Sequence, residues 1–566
     1  MKQVIAKLLK EAIENKGVKI TKAEIEKLIE IPPSQDFGDY AFPCFFLTEK
    51  FKASPHEIAL NLRAEIGEPL ATDFEDIQTQ GGYINFFVNR KSLARKVLWE
   101  VINQKKNYGS SKIGKGKRTM IEFPSPNTNK PLHLGHLRNL ALGESISRVL
   151  EFNDEKVFRA NLYNDRGIHI SKSMLAYQKW GKEETPTDKK IKPDHFVGKF
   201  YMLFNKKKTK KLEAEAQELL KKWEEKDRRT LLLWRLMTNW AIEGFKQTYK
   251  KFGIKFDVEF FESKIYKKGK KIILEGVKEG IFEKSRGGEV KINLEEEGLG
   301  EKILLRKDGT SIYIVFDLAL AEMKFDKYDL DKSLYVVGNE QEYHFNVLFS
   351  ILKKLGFGKK EMKHISYGLV NLPHGRMKSR EGTVVDADNL IEQIRVMAEK
   401  EIKKRGKIPK TKLEKRSIVI ALAAIKYMLL RIDIKKSILF NPKESVSFDG
   451  DTGPYILYSY ARASSIVRKS EKNETFKIPD LEDKEIELIK KLSTFSEVVI
   501  KAGKTLNPSM IANYSYQLCK IFNEFYQLHK VIGSEEETFR LVLTESFRQV
   551  LRNALHLLGI ETLEEM

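Results

Sequence analysis

Cysteine is nearly absent from the chain: Cys44 and Cys519 are the two in 566 residues. Two widely separated thiols exclude a disulfide framework, leave too few ligands for a structural zinc site, and fit a reducing compartment. No uninterrupted apolar run reaches the ~20 residues that a membrane-spanning helix needs. The opening MKQVIAKLLKEAIENKG is amphipathic but has no long apolar stretch. It carries Glu11 and Glu14, so neither a secretory nor a transit peptide is expected. No internal repeat is present, and no low-complexity tract beyond runs of lysine. Acidic residues are in deficit, 79 against 101 lysines and arginines, for a net charge of +22. That surplus suits a polyanionic partner, most simply nucleic acid, and on charge alone suits a lysine-rich solvated surface equally. A soluble cytosolic protein without a membrane segment is expected.

With 41% hydrophobic and 10% aromatic residues, a chain of 566 should fold into three or more globular domains. Its organising stretch runs IEFPSPNTNKPLHLGHLRN, from Ile121 to Asn139. Met120, Ile121 and Phe123 read as a buried strand end. Pro124, Pro126 and Pro131 each lack an N–H and bias the preceding residue away from helix. Leu134, Leu137, Leu140, Ala141 and Ile146 then recur at helical spacing. His133 and His136, three apart, fall on one face of the first turn beside unpaired N–H groups and the positive end of the dipole, where phosphate binds readily. Gly135 between them lets a flat ligand approach the backbone. A zinc pair is the competing reading, and the scarcity of cysteine counts against it.

Over seventeen consecutive positions, Glu122 to Arg138, this stretch resembles the HIGH signature of class I aminoacyl-tRNA synthetases in its arginyl-tRNA synthetase form. Other elements of the chain resemble the same family, and with them come expectations for each region.

Residues 1–112 read as a small α/β domain. Thr21 and Glu24 form a plausible capping box, and Ser54-Pro55 an N-cap followed by the first helical position. The stretch from Gly81 to Val88 reads as a strand with Tyr83 and Asn85 on one face. The resemblance implies that this domain meets the tRNA elbow, with Tyr83 and Asn85 gripping a splayed-out base by stacking and an amide edge. Lys112 to Lys117 is a Gly/Lys linker.

Residues 113–410 read as a Rossmann-type parallel-sheet catalytic domain with insertions between about 180 and 300. The lysines at 206–208, 210 and 211 read as a solvated face. Asp165 follows a second strand, within an N-D-x-G element found in such families. Leu304 to Asp317 reads as strand, Asp308-Gly309 hairpin turn and second strand, with Tyr313 and Asp317 on one face of that strand. The resemblance makes Tyr313 and Asp317 the pocket for the arginine side chain, with Glu122 as a second carboxylate. A planar fork of donors is best met by carboxylates placed for two parallel hydrogen bonds. Asn127 and Gln341 are implied at the α-amino group, and Gly338 and His344 at the nucleotide. Arg376-Met377-Lys378-Ser379-Arg380 resembles the KMSKS loop. Arg376 stands in place of its first lysine, and Lys378-Ser379-Arg380 where Ser-Lys-Ser or Ser-Thr-Arg is usual. Family members lacking the standard lysine tend to carry one before HIGH, where Lys130 sits.

Residues 411–566 read as an all-α domain. Tyr455, Tyr458 and Arg462 recur at helical spacing, a stripe that is ordinarily core. The resemblance implies that they, with Met566, meet anticodon bases. Phe522, Phe525 and Tyr526 belong to the same resemblance.

The expectation is a monomeric arginine–tRNA ligase using ATP and Mg²⁺, with L-arginine and tRNA(Arg) as its other substrates, and with bound tRNA needed for activation. His133, His136, Lys130, Lys378 and Arg380 are its catalytic residues. His133, Gly135, His136, Gly338, His344, Arg376, Met377 and Ser379 hold ATP. Three alternatives stand beside it. A nucleotidyltransferase with a similar His-x-Gly-His would be much shorter. Another class I synthetase would not need Tyr313, Asp317 and Glu122. A catalytically silent, tRNA-binding paralogue is favoured by the unusual RMKSR loop and opposed by the intact histidines.

Overall fold

The structure, a computed structural model, describes residues 1–67, 73–371, 385–406, 408–469 and 476–566. The Arg376–Arg380 loop lies outside the described residues. The chain divides into two compact units: residues 1–105, 466–494 and 521–549 form one, and residues 106–465, 495–520 and 550–566 the other.

The first unit holds a three-stranded antiparallel sheet with Tyr83–Val88 at its centre, between Tyr40–Pro43 and Phe74–Gln80. Thr21 caps the helix Lys22–Leu28 in a capping box with Glu24, and Ser54 caps Pro55–Ile66 through the N–H of Glu57. Phe522 stacks on Phe547 at 3.7 Å in its core, and Arg540 bonds Glu485 at 2.8 Å and Glu482 at 3.0 Å.

The larger unit is built on five parallel strands, β1 (Arg118–Glu122), β2 (Lys156–Tyr163), β3 (Val258–Phe261), β4 (Lys332–Gly338) and β5 (Glu361–Tyr367), in the order β5-β4-β1-β2-β3. Met120, Ile121, Ala160, Leu162, Leu334 and Val336 are all buried, as strands covered on both faces must be. Helix α1 (Leu134–Phe152) follows β1, and the chain leaves toward β2 on one side and returns to β4 on the other. β1 and β4 are therefore neighbours whose connections diverge, which opens a crevice at their carboxyl ends. Four long helices, Ile168–Trp180, Pro193–Lys206, Lys210–Glu224 and Arg228–Phe252, are inserted between β2 and β3. The lysines at 206–208, 210 and 211 are exposed there.

One element differs from the sequence reading. Tyr313 and Asp317 do not lie on a strand: they open helix α2 (Tyr313–Tyr328). Its residues pack on the sheet through Phe316, Ala319 and Leu320, and on a separate three-stranded antiparallel sheet (Glu283–Lys284, Val290–Leu294, Gly300–Leu305) through Val315, Leu318 and Ala321. A helix covered on two sides is apolar over much of its circumference, and its short β-branched, aromatic start cannot be told from a strand by periodicity. Because i and i+4 share a helical face as i and i+4 share a strand face, the two side chains still point the same way. Helix α3 (Glu342–Lys354) follows β4 after the short turn Asn339–Gln341.

Candidate active site

The loop after β1 is held by the end of β2. Asn164 donates to the Ser125 carbonyl at 2.9 Å, Thr128 N–H to the Asn164 carbonyl at 3.2 Å, and Asn164 N–H to the Pro126 carbonyl at 3.1 Å. That brace delivers His133 to the N-cap of α1, with its ring 3.9 Å from that of His136.

The expected unpaired first-turn amides are not there. Leu134 N–H bonds the Val385 carbonyl, Gly135 N–H the Nδ1 of His133, and His136 N–H the His133 carbonyl. His133 N–H in turn donates to the Nδ1 of His136 at 3.1 Å. The helix consumes its own donors because the two imidazoles double as caps. Both Nδ1 atoms therefore accept, so both rings carry their proton on Nε2. Burial, then the nearby Lys130 ammonium, pushes His133 down to about 4, and burial, then His133 and Lys130, holds His136 well below its ordinary value. The pair is neutral and offers two Nε2–H donors at the positive end of a helix dipole.

His133, Gly135 and His136 share a cavity of about 780 Å³ with Glu122, Gly338, Gln341, His344, Tyr313 and Asp317. Asn127 and Lys130 do not line it. Asn127 is exposed on the loop, and Lys130 is half-buried with its pKa lowered by burial. Asp317 accepts a 2.7 Å hydrogen bond from His344, whose ring lies 5.8 Å from that of Tyr313. His344 thus joins the Tyr313–Asp317 end of the cavity. Burial raises the Asp317 carboxyl from its usual range, the His344 bond opposing.

Glu122 is not a free second carboxylate. Its Oε2 is paired with the ammonium of Lys324, a fully buried residue of α2, and that ammonium also lies 4.4 Å from the Tyr335 ring centroid. A further buried carboxyl, Glu262 just after β3, does not line the cavity but acts electrostatically on Tyr313 and Asp317; burial raises its pKa to about 7 against the pull of Arg166. Sequence reading missed Lys324 and Glu262. A lysine set in a largely apolar stretch, LALAEMKF, was the signal for the first; none marked the second. Asp165 accepts from the Ser263 N–H at 2.8 Å and hydroxyl at 2.6 Å, a local brace.

Two buried acceptors at the cavity wall, Asn139 Oδ1 and Asn164 Oδ1, have no hydrogen-bond partner among the described residues. Buried polar atoms are seldom left so. They, with the two imidazole N–H groups, are what a nucleotide can complete. Arg138, which ends the signature, is wholly buried and donates to the carbonyls of Gly368, Leu369, Ile434 and Lys436, bracing the chain just before the 372–384 segment. After that segment, Leu132 and Leu134 pair with Ala387 and Val385, and His133 bridges Asp386.

Of the residues matched to tRNA contacts, Tyr83 is half-buried against Phe45 at 5.3 Å, whereas Asn85 is buried in the central strand. In the other unit, Tyr455 lies 5.7 Å from Tyr516 and the Arg462 guanidinium 4.9 Å over the Tyr458 ring. Both tyrosines are half-buried on a helix, Gly453–Arg468, whose Ile456, Leu457 and Tyr460 are core, and Met566 is half-buried. Phe522 and Phe525 are core, and Tyr526 is exposed.

The family model of the class I (R) tRNA synthetase catalytic domain matches residues 97–441. That of the DALR anticodon binding domain matches residues 456–566, and that of the arginyl tRNA synthetase N-terminal domain residues 2–88. The chain is 45% identical over 564 residues to the arginine–tRNA ligase of Treponema denticola, spanning 95% of this chain and 94% of that one. It is 42% identical to the arginine–tRNA ligase of Borrelia hermsii over 100% of this chain and 99% of the other. In fold it is similar to the arginyl-tRNA synthetase of Thermus thermophilus, with a TM-score of 0.85, 24% identity and full coverage of both chains.

Proposed function

The chain belongs to the arginyl-tRNA synthetase family of class I tRNA synthetases, and from that membership we propose that it joins arginine to tRNA(Arg) at the cost of ATP. The arginine carboxylate attacks the α-phosphorus of MgATP; the bond to the bridging oxygen breaks and pyrophosphate leaves. A hydroxyl of the terminal adenosine ribose of the tRNA then attacks the acyl carbon of arginyl-adenylate and AMP departs.

The observation that carries this reading is the division of one cavity into two ends. A carboxyl end holds Asp317, braced by His344 and flanked by Tyr313. A donor end holds the Nε2–H groups of His133 and His136. A guanidinium suits the first and a pentacovalent phosphorus gathering negative charge suits the second. With little covalent chemistry for side chains to perform, rate comes from holding carboxylate and phosphorus in line. Gln341 is assigned to the substrate amino end with Asn127, and Gly338 and Gly135 to the nucleotide. Lys130, Lys378 and Arg380 are assigned to the phosphates, with Arg376, Met377 and Ser379 in the same loop. Mg²⁺ enters with ATP.

Tyr83, Asn85, Tyr455, Tyr458, Arg462 and Met566 are assigned to tRNA, in domains spanning 1–112 and 411–566 on either side of a catalytic domain at 113–410. A cytoplasmic monomer whose adenylate formation requires bound tRNA completes the reading. Among the described residues no helix is long and apolar enough to cross a membrane. The test is arginine-dependent exchange of pyrophosphate into ATP, with and without tRNA. Exchange only when tRNA is present supports the whole proposal. Exchange without tRNA removes the coupling, and no exchange in either condition removes the activity.

A further inference from the structure

Away from the catalytic cavity, the larger unit contains a second one of about 520 Å³. It opens between the C-terminal half of α1, the end of the helix Arg228–Phe252, helix α4 (Lys410–Leu430) and the last residues of the chain. Arg148, Lys250, Lys251, Lys426 and Arg552 line it against one carboxylate, Glu561. Three of these cations are already paired: Arg148 with Glu144 at 2.6 Å, Lys251 with Asp388 at 3.7 Å and Arg552 with Glu564 at 2.7 Å. Lys250 and Lys426 have no carboxylate within ion-pairing distance among the described residues.

Lys426 is the unusual one. Only 7% of it is exposed, and its ammonium makes one hydrogen bond, to the Gly559 carbonyl, over the Phe252 ring at 4.9 Å. Three N–H donors with one acceptor leave a buried cation under-satisfied, a costly arrangement for a lysine without a counter-charge. Gly253 and Gly559 both adopt positive φ, +77° and +66°, and a Cβ on either would sit 3.7–3.8 Å from the ammonium nitrogen. Burial, then Arg148, holds Lys426 down to about 8, against the pull of Glu144 and Glu561. Arg148 also donates to Nδ1 of His556 at 3.1 Å, which fixes the remaining His556 proton on Nε2, a further donor at the cavity wall.

We propose that this cavity binds a phosphate group, with the Lys426 ammonium as its buried anchor and Lys250 and Arg148 around it. An oxyanion would supply the missing acceptors and the missing charge together. The inference does not depend on how the catalytic cavity is read. The phosphate can come from an RNA backbone or from free phosphate, and the two sources are separable.

The full chain and its Lys426→Met variant would be compared in two assays. One is binding of a tRNA transcript over a series of salt concentrations; the other is the thermal upshift given by inorganic phosphate at matched ionic strength. If the group is an RNA phosphate, the variant binds the transcript about tenfold more weakly, and the slope of log affinity against log salt falls by about one. If it is free phosphate, the variant loses part of the upshift while transcript affinity holds. In both cases the Michaelis constant for ATP stays unchanged. Because Met removes an unpaired buried charge, the variant should be no less stable; Lys250→Gln, on the exposed rim, repeats the test without touching the core. Unchanged transcript affinity, salt slope and phosphate upshift in both variants would overturn the proposal.

Discussion

The ammonium of Lys324 and the carboxylate of Glu122 meet inside the protein, with Lys324 wholly buried and Glu122 6% exposed. One comes from the helix that carries Tyr313 and Asp317, the other from the last position of β1, so the pair fixes the carboxyl end of the cavity to the sheet. Burial alone would lower the Lys324 pKa, but Glu122, with Tyr335 and Asp317 beside it, makes the net shift upward. Removing one partner leaves a buried charge alone. Lys324→Met should cost about 3–5 kcal/mol in denaturant unfolding, and the double variant with Glu122→Gln should regain most of it. A Lys324→Met protein as stable as the wild type would show that the pair does not brace the fold.

Asp317→Asn keeps the shape of the pocket and removes its charge. The Michaelis constant for arginine should rise roughly a hundredfold, the ~3 kcal/mol typical of breaking a desolvated charge pair, while that for ATP changes little. Steady-state pyrophosphate exchange at varied arginine and ATP decides it: equal effects on both substrates would dissociate Asp317 from the guanidinium.

The signature imidazoles are neutral throughout the physiological range, burial pushing His133 down to about 4 and holding His136 well below its ordinary value. The pH–kcat profile should therefore show no inflection near 6.5 that disappears in a His133→Gln variant. His136→Ala, which deletes one donor to the developing charge, should lower kcat by roughly 10²–10³ without weakening tRNA binding. An inflection traced to either ring would mean that protonated histidine takes part.

His195 is held up to about 10, first by its ion pair with Asp386 at 3.2 Å and then by that with Asp388 at 3.5 Å. A histidine raised above its ordinary 6.5 contributes stability that is fully present below that value, declines as pH rises, and is gone above 10. The unfolding free energy should therefore slope downward over that window, and His195→Gln should flatten the slope. A variant with the wild-type slope would locate the pH dependence elsewhere.

What the sequence disclosed followed from how the chemistry is distributed along it. The signature loop is contiguous, so seventeen positions could be matched at once, and the β1–loop–α1 geometry is the one expected. Tyr313 and Asp317 kept their common face although strand became helix, because both periods place i and i+4 together. The first-turn amides are paired rather than open because His133 and His136 cap their own helix, a role that nothing in the sequence pattern marks. Lys426 stands alone in a run of apolar residues, ALAAIKYM, and Lys324 shares the largely apolar run LALAEMKF with Glu322, settings where a solvated lysine has little place. That pattern marks a buried cation, but the partner of Lys324 lies 202 residues away and is visible only in three dimensions.

Arg138 spends its donors on main-chain carbonyls of Gly368, Leu369, Ile434 and Lys436. Every residue type supplies the same carbonyl, so the contact imposes no side-chain identity on the segments it joins. Gly368 is the exception, since a Cβ there would lie 2.5 Å from the Lys436 backbone. Positions 369, 434 and 436 can therefore drift in evolution without loosening the staple, and a search for covarying pairs would pass over it.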